Sequence, residues 1–313
     1  MKMAFIVDPL EGINVHKDSS FAMMREASTR GHRIHVLHQE DIVLREGRIK
    51  ALSREIFLTG KEPAWYEKGE THHEHLSEYD AVLMRKDPPF DMEYYYATQL
   101  LEIAEREGAK IYNRPASLRN WNEKLAIAKF PAFTPPTLVA RKESDLREFL
   151  DHHRDIVIKP LDGMGGSGVF RLREGDPNIG VIIETVTCYG KKTVMAQRFV
   201  PDIEKGDKRV LMVGGKPAPF CLARIPKKGE TRGNLASGGK GVAQPLSERD
   251  MEIAQAIGPV LDAEGIALAG LDVIGNYLTE INVTSPTCMQ EILDQTGCDV
   301  PGMMIDLLES RCV

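Results

Sequence analysis

The stretch from Ile156 to Leu172, IVIKPLDGMGGSGVFRL, constrains the fold more than any other part of the chain. Four glycines follow Lys159, and β-like sequence lies on both sides of them. A P-loop ends in Gly-Lys-Ser/Thr, whereas the lysine here comes first. A dinucleotide-binding loop is followed by a helix, but Val-Phe-Arg-Leu is typical of a strand. This order predicts a glycine hairpin between two strands that folds over phosphate, with a plain flexible turn as the alternative.

The overall charge limits the partners of the chain. Forty basic and 46 acidic residues give a net charge of −6 over 313 residues, so we expect neither nucleic acid nor an anionic membrane as a partner. No apolar window is long enough to span a membrane, and the N-terminus predicts a core strand rather than a signal peptide. We therefore expect a cytoplasmic protein.

The arrangement of strand-like and helix-like segments predicts three structural units. The first third alternates between the two, which indicates an α/β domain with an open, mostly parallel sheet. We expect a Rossmann-like N-terminal domain at 1–120, a central unit of mixed α+β structure at 121–200 and a third unit at 201–313. Ligands bind at the carboxyl ends of parallel strands, so Arg85, Lys86 and Asp87 are candidates to line a cleft.

A predicted hairpin near the C-terminus brings oxygen-bearing side chains together. A three-residue loop at 275–277 places Asp272 opposite Glu280, and Asn282 projects from the same face of its strand. Two opposed carboxylates repel each other unless a cation lies between them. The pattern favours a divalent metal site, with an exposed polar face as the alternative.

Three arginines lie within 24 residues of one another. They are Arg209, Arg224 and Arg232, and the last is in the glycine-rich segment 229–241, which predicts a mobile lid. Arginine forks bind phosphate and carboxylate in a bidentate manner. A solvated surface is the alternative, and it is disfavoured because a glycine hairpin and a metal face occur in the same chain.

The stretch from Thr71 to His75, THHEH, contains three histidines. Zinc ligation is one interpretation. No cysteine and no second histidine pair lies nearby in the sequence, so the stretch predicts an exposed loop instead.

Seven motifs together resemble the ATP-grasp superfamily and, within it, the bacterial glutathione synthetase family. They are MRKDPPFD (84–91), NEKL (122–125), KPLDGMGGSGVFR (159–171), EGDPNIGVI (174–182), GDKRVL (206–211), CLARIPKKGETRGNLASGGKG (221–241) and TEINVTSPT (279–287). The resemblance implies a two-part ATP-grasp region behind the N-terminal domain, with 121–200 as its lid domain. The implied reaction joins γ-glutamyl-cysteine to glycine with conversion of ATP to ADP and phosphate, through an acyl phosphate.

The resemblance also implies roles for individual residues. Nucleotide binding falls to Lys124, Lys159, Gly165, Gly166, Ser167, Gln197, Phe199, Val200 and Asp207. Magnesium, with manganese as an alternative, falls to Asp272, Glu280 and Asn282, and stabilisation of the acyl phosphate to Arg209, Arg224 and Arg232. Substrate contacts fall to Asn14, Lys17, Ser19, Arg85, Lys86, Asp87 and Ser285.

Two other functions are compatible with these motifs. One is a different ATP-grasp carboxylate–amine ligase, such as one that joins D-alanines or adds glutamate to a protein. The other is a nucleotide-binding regulatory protein that resembles synapsin. The three arginines and the lid segment favour a ligase, since a regulatory binder has no need to stabilise an acyl phosphate. For the ligase we expect a homo-oligomer, either a dimer or a tetramer.

Overall fold

The computed structural model describes residues 1–230, 232–235 and 238–312, which form three β-sheets and eight α-helices. No helix among these residues is long and apolar enough to cross a membrane. The N-terminal part contains β1 (Lys2–Ile6), α1 (Ser19–Thr29), β2 (Arg33–Leu37), β3 (Ile42–Arg45), β4 (Arg48–Leu58), β5 (Tyr66–Glu74), β6 (Ala81–Met84), α2 (Met92–Arg106), β7 (Ile111–Tyr112) and α3 (Pro115–Asn120).

The first sheet has a parallel half and an antiparallel half. Strands β2-β1-β6-β7 pair in parallel, as the alternation of strands and helices predicts. Strand β1 is buried on both faces, because Ala4 and Ile6 pack in the same core as α2, whereas Met3 and Phe5 pack in the same core as α1. Strands β3, β4 and β5 extend the sheet in antiparallel pairings.

The histidine-rich stretch lies within this antiparallel half. Residues 71–74 belong to strand β5, so the predicted exposed loop is wrong. His73 is exposed, whereas the side chain of His72 is only 19% exposed. A strand exposes alternate residues, which explains how a polar stretch can direct one histidine toward the protein.

The central part is built on an antiparallel sheet with the order β10-β9-β11-β8. Its elements are β8 (Thr137–Ala140), α4 (Glu143–His153), β9 (Asp155–Pro160), β10 (Phe170–Arg173), α5 (Ile179–Val186) and β11 (Val194–Arg198). Strands β9 and β10 pair on either side of the glycines, which confirms the strand, glycine loop, strand order. Gly165, Gly166 and Gly168 have positive φ angles, a backbone conformation that residues other than glycine rarely adopt.

The third part contains an antiparallel sheet with the order β14-β13-β12-β15-β16. Its elements are β12 (Asp207–Val213), β13 (Lys216–Ile225), β14 (Lys240–Pro245), α6 (Glu248–Ala263), β15 (Leu268–Ile274), β16 (Tyr277–Asn282), α7 (Met289–Thr296) and α8 (Val300–Cys312). The faces of this sheet share two hydrophobic cores with the N-terminal part, whereas a third core lies within the central part. We propose the domain division at residues 120 and 200 on this framework.

The hairpin of β15 and β16 differs from the predicted one in its turn. Ile274 pairs with Tyr277 across a two-residue turn, so the predicted three-residue loop is wrong. Thr279 is then left without a partner residue on β15, which is a β-bulge. The bulge compensates for the shorter turn, and Asp272 pairs with Glu280 as predicted.

A buried asparagine connects the N-terminal part to the third sheet. The Asn113 side chain donates to the carbonyl oxygens of Leu268 and Val283, each at 2.7 Å, and accepts from the Leu268 amide at 2.9 Å. Asn113 is 5% exposed, so water cannot easily replace these three bonds. They align the end of β7 with strand β15.

We predict that Asn113→Ala lowers the free energy of unfolding by about 2–4 kcal/mol, because three buried backbone groups lose their partner. Urea unfolding followed by circular dichroism measures the change. Asn120→Ala, at the exposed last residue of α3, serves as the control and is expected to unfold like the unmodified chain. Equal midpoints for the two variants would contradict the role of Asn113.

Candidate active site

A cleft of about 320 Å³ lies between the central sheet and the third sheet, with residues of the N-terminal part at one end. Its volume is in the range of small-molecule sites. The structure brings most of the predicted site residues into its lining. They are Asp87, Lys124, Lys159, Gly165, Gly166, Ser167, Gln197, Phe199, Val200, Asp207, Arg209, Arg224, Arg232, Asp272, Glu280, Asn282 and Ser285.

Two buried arginines hold the carboxylate of Asp272. The Arg209 guanidinium donates to both carboxylate oxygens, at 2.6 and 3.1 Å, and Arg224 lies 2.9 Å from one of them. Arg209 and Asp272 are paired residues on β12 and β15, so the strand register brings them together. Burial opposes ionisation of Asp272, but the two guanidiniums hold the pKa of its carboxyl well below the usual range. The aspartate is therefore an anion between two fixed cations.

Asp207 extends this charge network along β12. Its Oδ2 accepts from Arg224 at 2.5 Å, whereas Oδ1 is buried and has no hydrogen-bond partner within the described residues. Burial raises the pKa of Asp207, although Arg224 opposes the shift. A buried acceptor without a partner is rare in folded proteins, so Oδ1 is suited to accept a hydrogen bond from a ligand.

Two lysines converge on strand β16. Lys124 Nζ lies 2.8 Å from a carboxylate oxygen of Glu280 and donates to the Gly163 carbonyl at 2.6 Å. Burial alone would lower the pKa of Lys124, but the charge of Glu280 raises it. Lys159 Nζ donates to the Thr279 carbonyl at 3.2 Å, and burial lowers its pKa. The bulge at Thr279 therefore lies at the point where a lysine reaches β16.

The oxygen-bearing face can hold a hard divalent cation. Asp272 and Glu280 offer carboxylate oxygens, and Asn282 donates its Nδ2 to the Gly270 carbonyl, which leaves its Oδ1 as an acceptor. The expected repulsion between the two carboxylates is relieved in the protein itself, because Asp272 pairs with the arginines and Glu280 with Lys124. The oxygen donors fit magnesium. Repulsion between Asp272 and Glu280 does not by itself require a cation, because the arginines and Lys124 already relieve it.

The glycine hairpin and the lid segment are in contact. A Cβ atom at Gly166 would lie 2.9 Å from Oδ1 of Asn234 and 3.2 Å from Cδ of Arg232, so it would displace these side chains, and the φ of +80° also favours glycine there. Arg232 pairs with Glu230 and is not among the arginines that hold Asp272. Three residues of the predicted lid, at positions 231, 236 and 237, lie outside the described residues.

An apolar wall completes one side of the cleft at the end of β11. Phe199 stacks against the Arg171 guanidinium, whose carbon lies 3.4 Å from the ring centroid. Val200 is buried, and Gln197 donates to the Thr137 hydroxyl at 3.1 Å. This wall presents apolar surface with one amide for orientation, which is the usual composition of a site for a flat ring.

Five of the predicted substrate residues lie outside the cleft lining. Asn14 and Lys17 are exposed, and buried Ser19 accepts a hydrogen bond from the Met289 amide. Lys86 pairs with Asp8 at 2.6 Å. Arg85 is buried and donates to the carbonyl oxygens of Thr284 and Pro286, next to Ser285.

The lining also contains residues that were not predicted, among them Glu123 and Cys288. Glu123 accepts from the amides of Val283 and Thr284, and burial raises its pKa. Its position beside Lys124 in the NEKL motif is the one sequence signal that could have indicated it. Cys288 is 1% exposed, and burial raises the pKa of its thiol despite the nearby Arg209 and Arg224. Nothing in its sequence surroundings distinguishes this cysteine from the other four.

Comparisons with solved structures agree with the architecture. The chain superimposes on D-cycloserine synthetase DcsG with a TM-score of 0.70 at 14% identity, and the match covers 99% of this chain and 100% of that one. The match to the ATP-grasp ligase PsnB, complexed with precursor peptide PsnA2 and AMPPNP, has a TM-score of 0.64 at 16% identity and covers 99% and 98% of the two chains. At these identities the comparison shows the fold alone.

Sequence comparisons identify the family. The N-terminal domain of prokaryotic glutathione synthetase matches residues 1–119, and the ATP-grasp domain of the same family matches residues 123–297. The chain is 58% identical to the glutathione synthetase of Nitrosomonas europaea, over 99% of this chain and 98% of that one. It is 54% identical to the glutathione synthetase of Vibrio parahaemolyticus over the same shares. The chain belongs to the prokaryotic glutathione synthetase family of ATP-grasp ligases.

Proposed function

We propose that the cleft joins γ-glutamyl-cysteine to glycine, with conversion of ATP to ADP and phosphate, through an acyl-phosphate intermediate. The observation that carries the proposal is the pair of buried arginines, Arg209 and Arg224, beside the oxygen-bearing face and the glycine hairpin in one cleft. A carboxylate is a poor electrophile until it is phosphorylated. Such a site therefore needs charge stabilisation and positioning more than a side-chain nucleophile.

ATP is proposed to bind between the glycine hairpin and the third sheet. Lys124 and Lys159 contact its phosphates, and the amides of residues 165–167 fold over them. The adenine ring lies against the apolar wall of Gln197, Phe199 and Val200. Asp207 accepts a hydrogen bond from a ribose hydroxyl through Oδ1, the buried oxygen that has no partner within the described part of the chain.

Magnesium is the divalent cation that the oxygen ligands fit best, with manganese as the alternative. Asp272, Glu280 and Asn282 would hold it, and its charge would offset that of the nucleotide phosphates. Lys124 lies within 2.8 Å of Glu280, so it fixes this carboxylate in place for ligation. Arg209 does the same for Asp272.

The ligation itself takes two steps. The cysteinyl carboxylate attacks the γ-phosphorus of ATP, and ADP leaves. The glycine amine then adds to the acyl carbon, loses a proton, and expels phosphate as the tetrahedral intermediate collapses. Arg209 and Arg224 donate hydrogen bonds to the negative charge that develops in both steps, and Arg232 adds a third cation when the lid closes.

The dipeptide is proposed to enter from the side of the N-terminal domain. Asp87 accepts a hydrogen bond from Ser285 across the domain boundary, and both line the cleft. Arg85 acts as a positioning residue, since it holds the backbone on both sides of Ser285. Asn14, Lys17, Ser19 and Lys86 are not among the residues that line the cleft, and we propose that they help to receive the dipeptide.

Relatives at 54–58% identity named glutathione synthetase favour this substrate over the other ATP-grasp ligations. A regulatory ATP-binding protein is disfavoured for a physical reason. Removing the guanidinium groups of Arg209 and Arg224 from water costs free energy. A protein that only binds a nucleotide does not require two such buried groups beside its cleft.

We predict that the purified protein releases phosphate from ATP only when γ-glutamyl-cysteine and glycine are both present. A coupled phosphate assay measures the release, and mass spectrometry identifies glutathione as the product. ATP binding without release for any pair of amino-acid substrates would favour the regulatory protein. Release with a different pair would favour another ligase.

We predict that Glu280→Gln raises the magnesium concentration needed for half-maximal activity by about tenfold or more, because a charged oxygen ligand becomes a neutral one. A magnesium titration of the initial rate measures it. Glu248→Gln, at an exposed position in the first turn of α6, is the control and should leave the requirement unchanged. An unchanged requirement in Glu280→Gln would remove this residue from the metal site.

We predict that Gly270→Ala lowers kcat by about a hundredfold or more, as loss of a charge-stabilising donor does. The added methyl group would lie 2.6 Å from Cδ of Arg209 and push its guanidinium away from Asp272. Gly12→Ala is the control, because no heavy atom lies within 4 Å of its added methyl group. A normal kcat in Gly270→Ala, with an unchanged circular dichroism spectrum, would contradict the role of Arg209.

A further inference from the structure

Three potential metal ligands meet on the N-terminal sheet, away from the ATP cleft. They are His35 on β2, Glu55 on β4 and His72 on β5, and their ligand atoms all lie within 4.8 Å of one another. None of the three lines the cleft. His35 is fully buried, and the side chains of Glu55 and His72 are 12% and 19% exposed.

Strand register explains why these residues meet. His35 pairs directly with Glu55 between β2 and β4, and His72 pairs with Ser53 between β4 and β5. Ser53 and Glu55 are two residues apart, so they project from the same face of β4. Three neighbouring strands therefore each contribute one ligand to a single face of the sheet.

The hydrogen bonds of the two histidines leave the same atom available on each ring. Nε2 of His35 and Nε2 of His72 are both buried, and neither has a hydrogen-bond partner within residues 1–230, 232–235 and 238–312. On the other side of each ring, Nδ1 of His35 lies 3.4 Å from the Ser53 hydroxyl, and Nδ1 of His72 lies 3.5 Å from a Glu74 oxygen. The Ser53 hydroxyl is in turn 2.6 Å from that of Tyr79.

This arrangement matches that of metal-binding histidines. A ligating histidine coordinates through one nitrogen and donates its other ring N–H to a carboxylate or another oxygen, which fixes the tautomer and the ring orientation. Two buried nitrogens without partners are otherwise unfavourable, because each has lost its hydrogen bond to water. The two rings lie 5.0 Å apart between centroids, so a single ion can reach both.

We propose that His35, His72 and Glu55 bind a divalent transition-metal ion of the Zn²⁺ type. Two imidazoles and one carboxylate, with water as a fourth ligand, form a donor set that suits Zn²⁺. Tetrahedral coordination with Zn–N bonds of about 2.0–2.1 Å places ligand atoms about 3.3 Å apart, so the side chains must close around the ion from their present spacing. The ion links β2, β4 and β5, and so fastens the antiparallel half to the parallel half.

The charges around the cluster accommodate this ion. Arg33 donates to both oxygens of Glu55, at 2.8 and 3.2 Å, and Lys2 pairs with Glu74. A carboxylate has about four lone-pair sites, so Glu55 can keep one bond to Arg33 while its other oxygen binds metal. The charges of Glu55 and Glu74 therefore balance those of Arg33 and Lys2. The cluster has no net positive charge that would repel a metal ion.

Cobalt titration of the full-length protein tests the site. The protein is stripped of metal with a chelator, supplied with excess Mg²⁺ and ADP to occupy the nucleotide cleft, and titrated with Co²⁺ while the visible absorption of the ion is recorded. We expect saturation at one Co²⁺ per chain and loss of the absorption when Zn²⁺ is added. The absence of a saturable signal would overturn the proposal.

Two adjacent histidines provide the matched variants. His72→Gln is expected to weaken Co²⁺ binding by about tenfold or more, whereas His73→Gln, which changes an exposed residue of the same strand, leaves it unchanged. Zn²⁺ should raise the Tm of the unmodified chain and of His73→Gln, but not that of His72→Gln. Equal Co²⁺ affinities in the two variants would overturn the site even if both remain folded. Unchanged binding in Glu55→Gln would overturn the assignment of its carboxylate.

Discussion

The buried carboxylate of Asp272, held between Arg209 and Arg224, is the interaction on which the site depends. A charge that is 2% exposed must be compensated by the protein, and loss of one partner from such a pair costs about 3–5 kcal/mol. The aspartate thereby fixes two guanidinium groups in the cleft before any substrate arrives. Preorganised donors of this kind stabilise developing negative charge without reorganisation during the reaction.

The β-bulge at Thr279 makes this arrangement compatible with a tight hairpin. A shift of one residue in a strand moves every side chain to the opposite face. Without the bulge, the two-residue turn would direct Glu280 away from Asp272 and from Lys124. The extra residue restores the register, and its carbonyl also accepts the hydrogen bond from Lys159. One local irregularity thus serves both the proposed metal face and the lysine that is proposed to bind phosphate.

The distribution of cores separates the fixed parts of the protein from the part that carries the hairpin. The N-terminal part and the third sheet share two hydrophobic cores and are joined by Asn113, whereas the central sheet has a core that includes Ile156, Ile158 and Leu172. A unit built mainly on its own core can shift as a body with limited loss of packing, and Met195 of β11 is the buried strand residue that belongs instead to the first shared core. The proposed lid, which would carry Lys159 and the glycine hairpin over ATP while the arginines stay in place, needs this freedom.

Local pattern in the sequence determined the strand, glycine loop, strand order and the parallel half of the first sheet, whereas the pairing of Asp272 with Glu280 also needed the bulge at Thr279. These depend on residue type and short spacing, which a sequence displays directly. Tertiary structure alone decided the remainder. Three contacts join residues that are far apart in the chain. They are the pairing of Asp272 with two arginines, the hydrogen bonds of Arg85 to the backbone on either side of Ser285, and the approach of His35 to His72. The sequence carries no direct mark of such contacts, because strand register and packing between sheets bring them together.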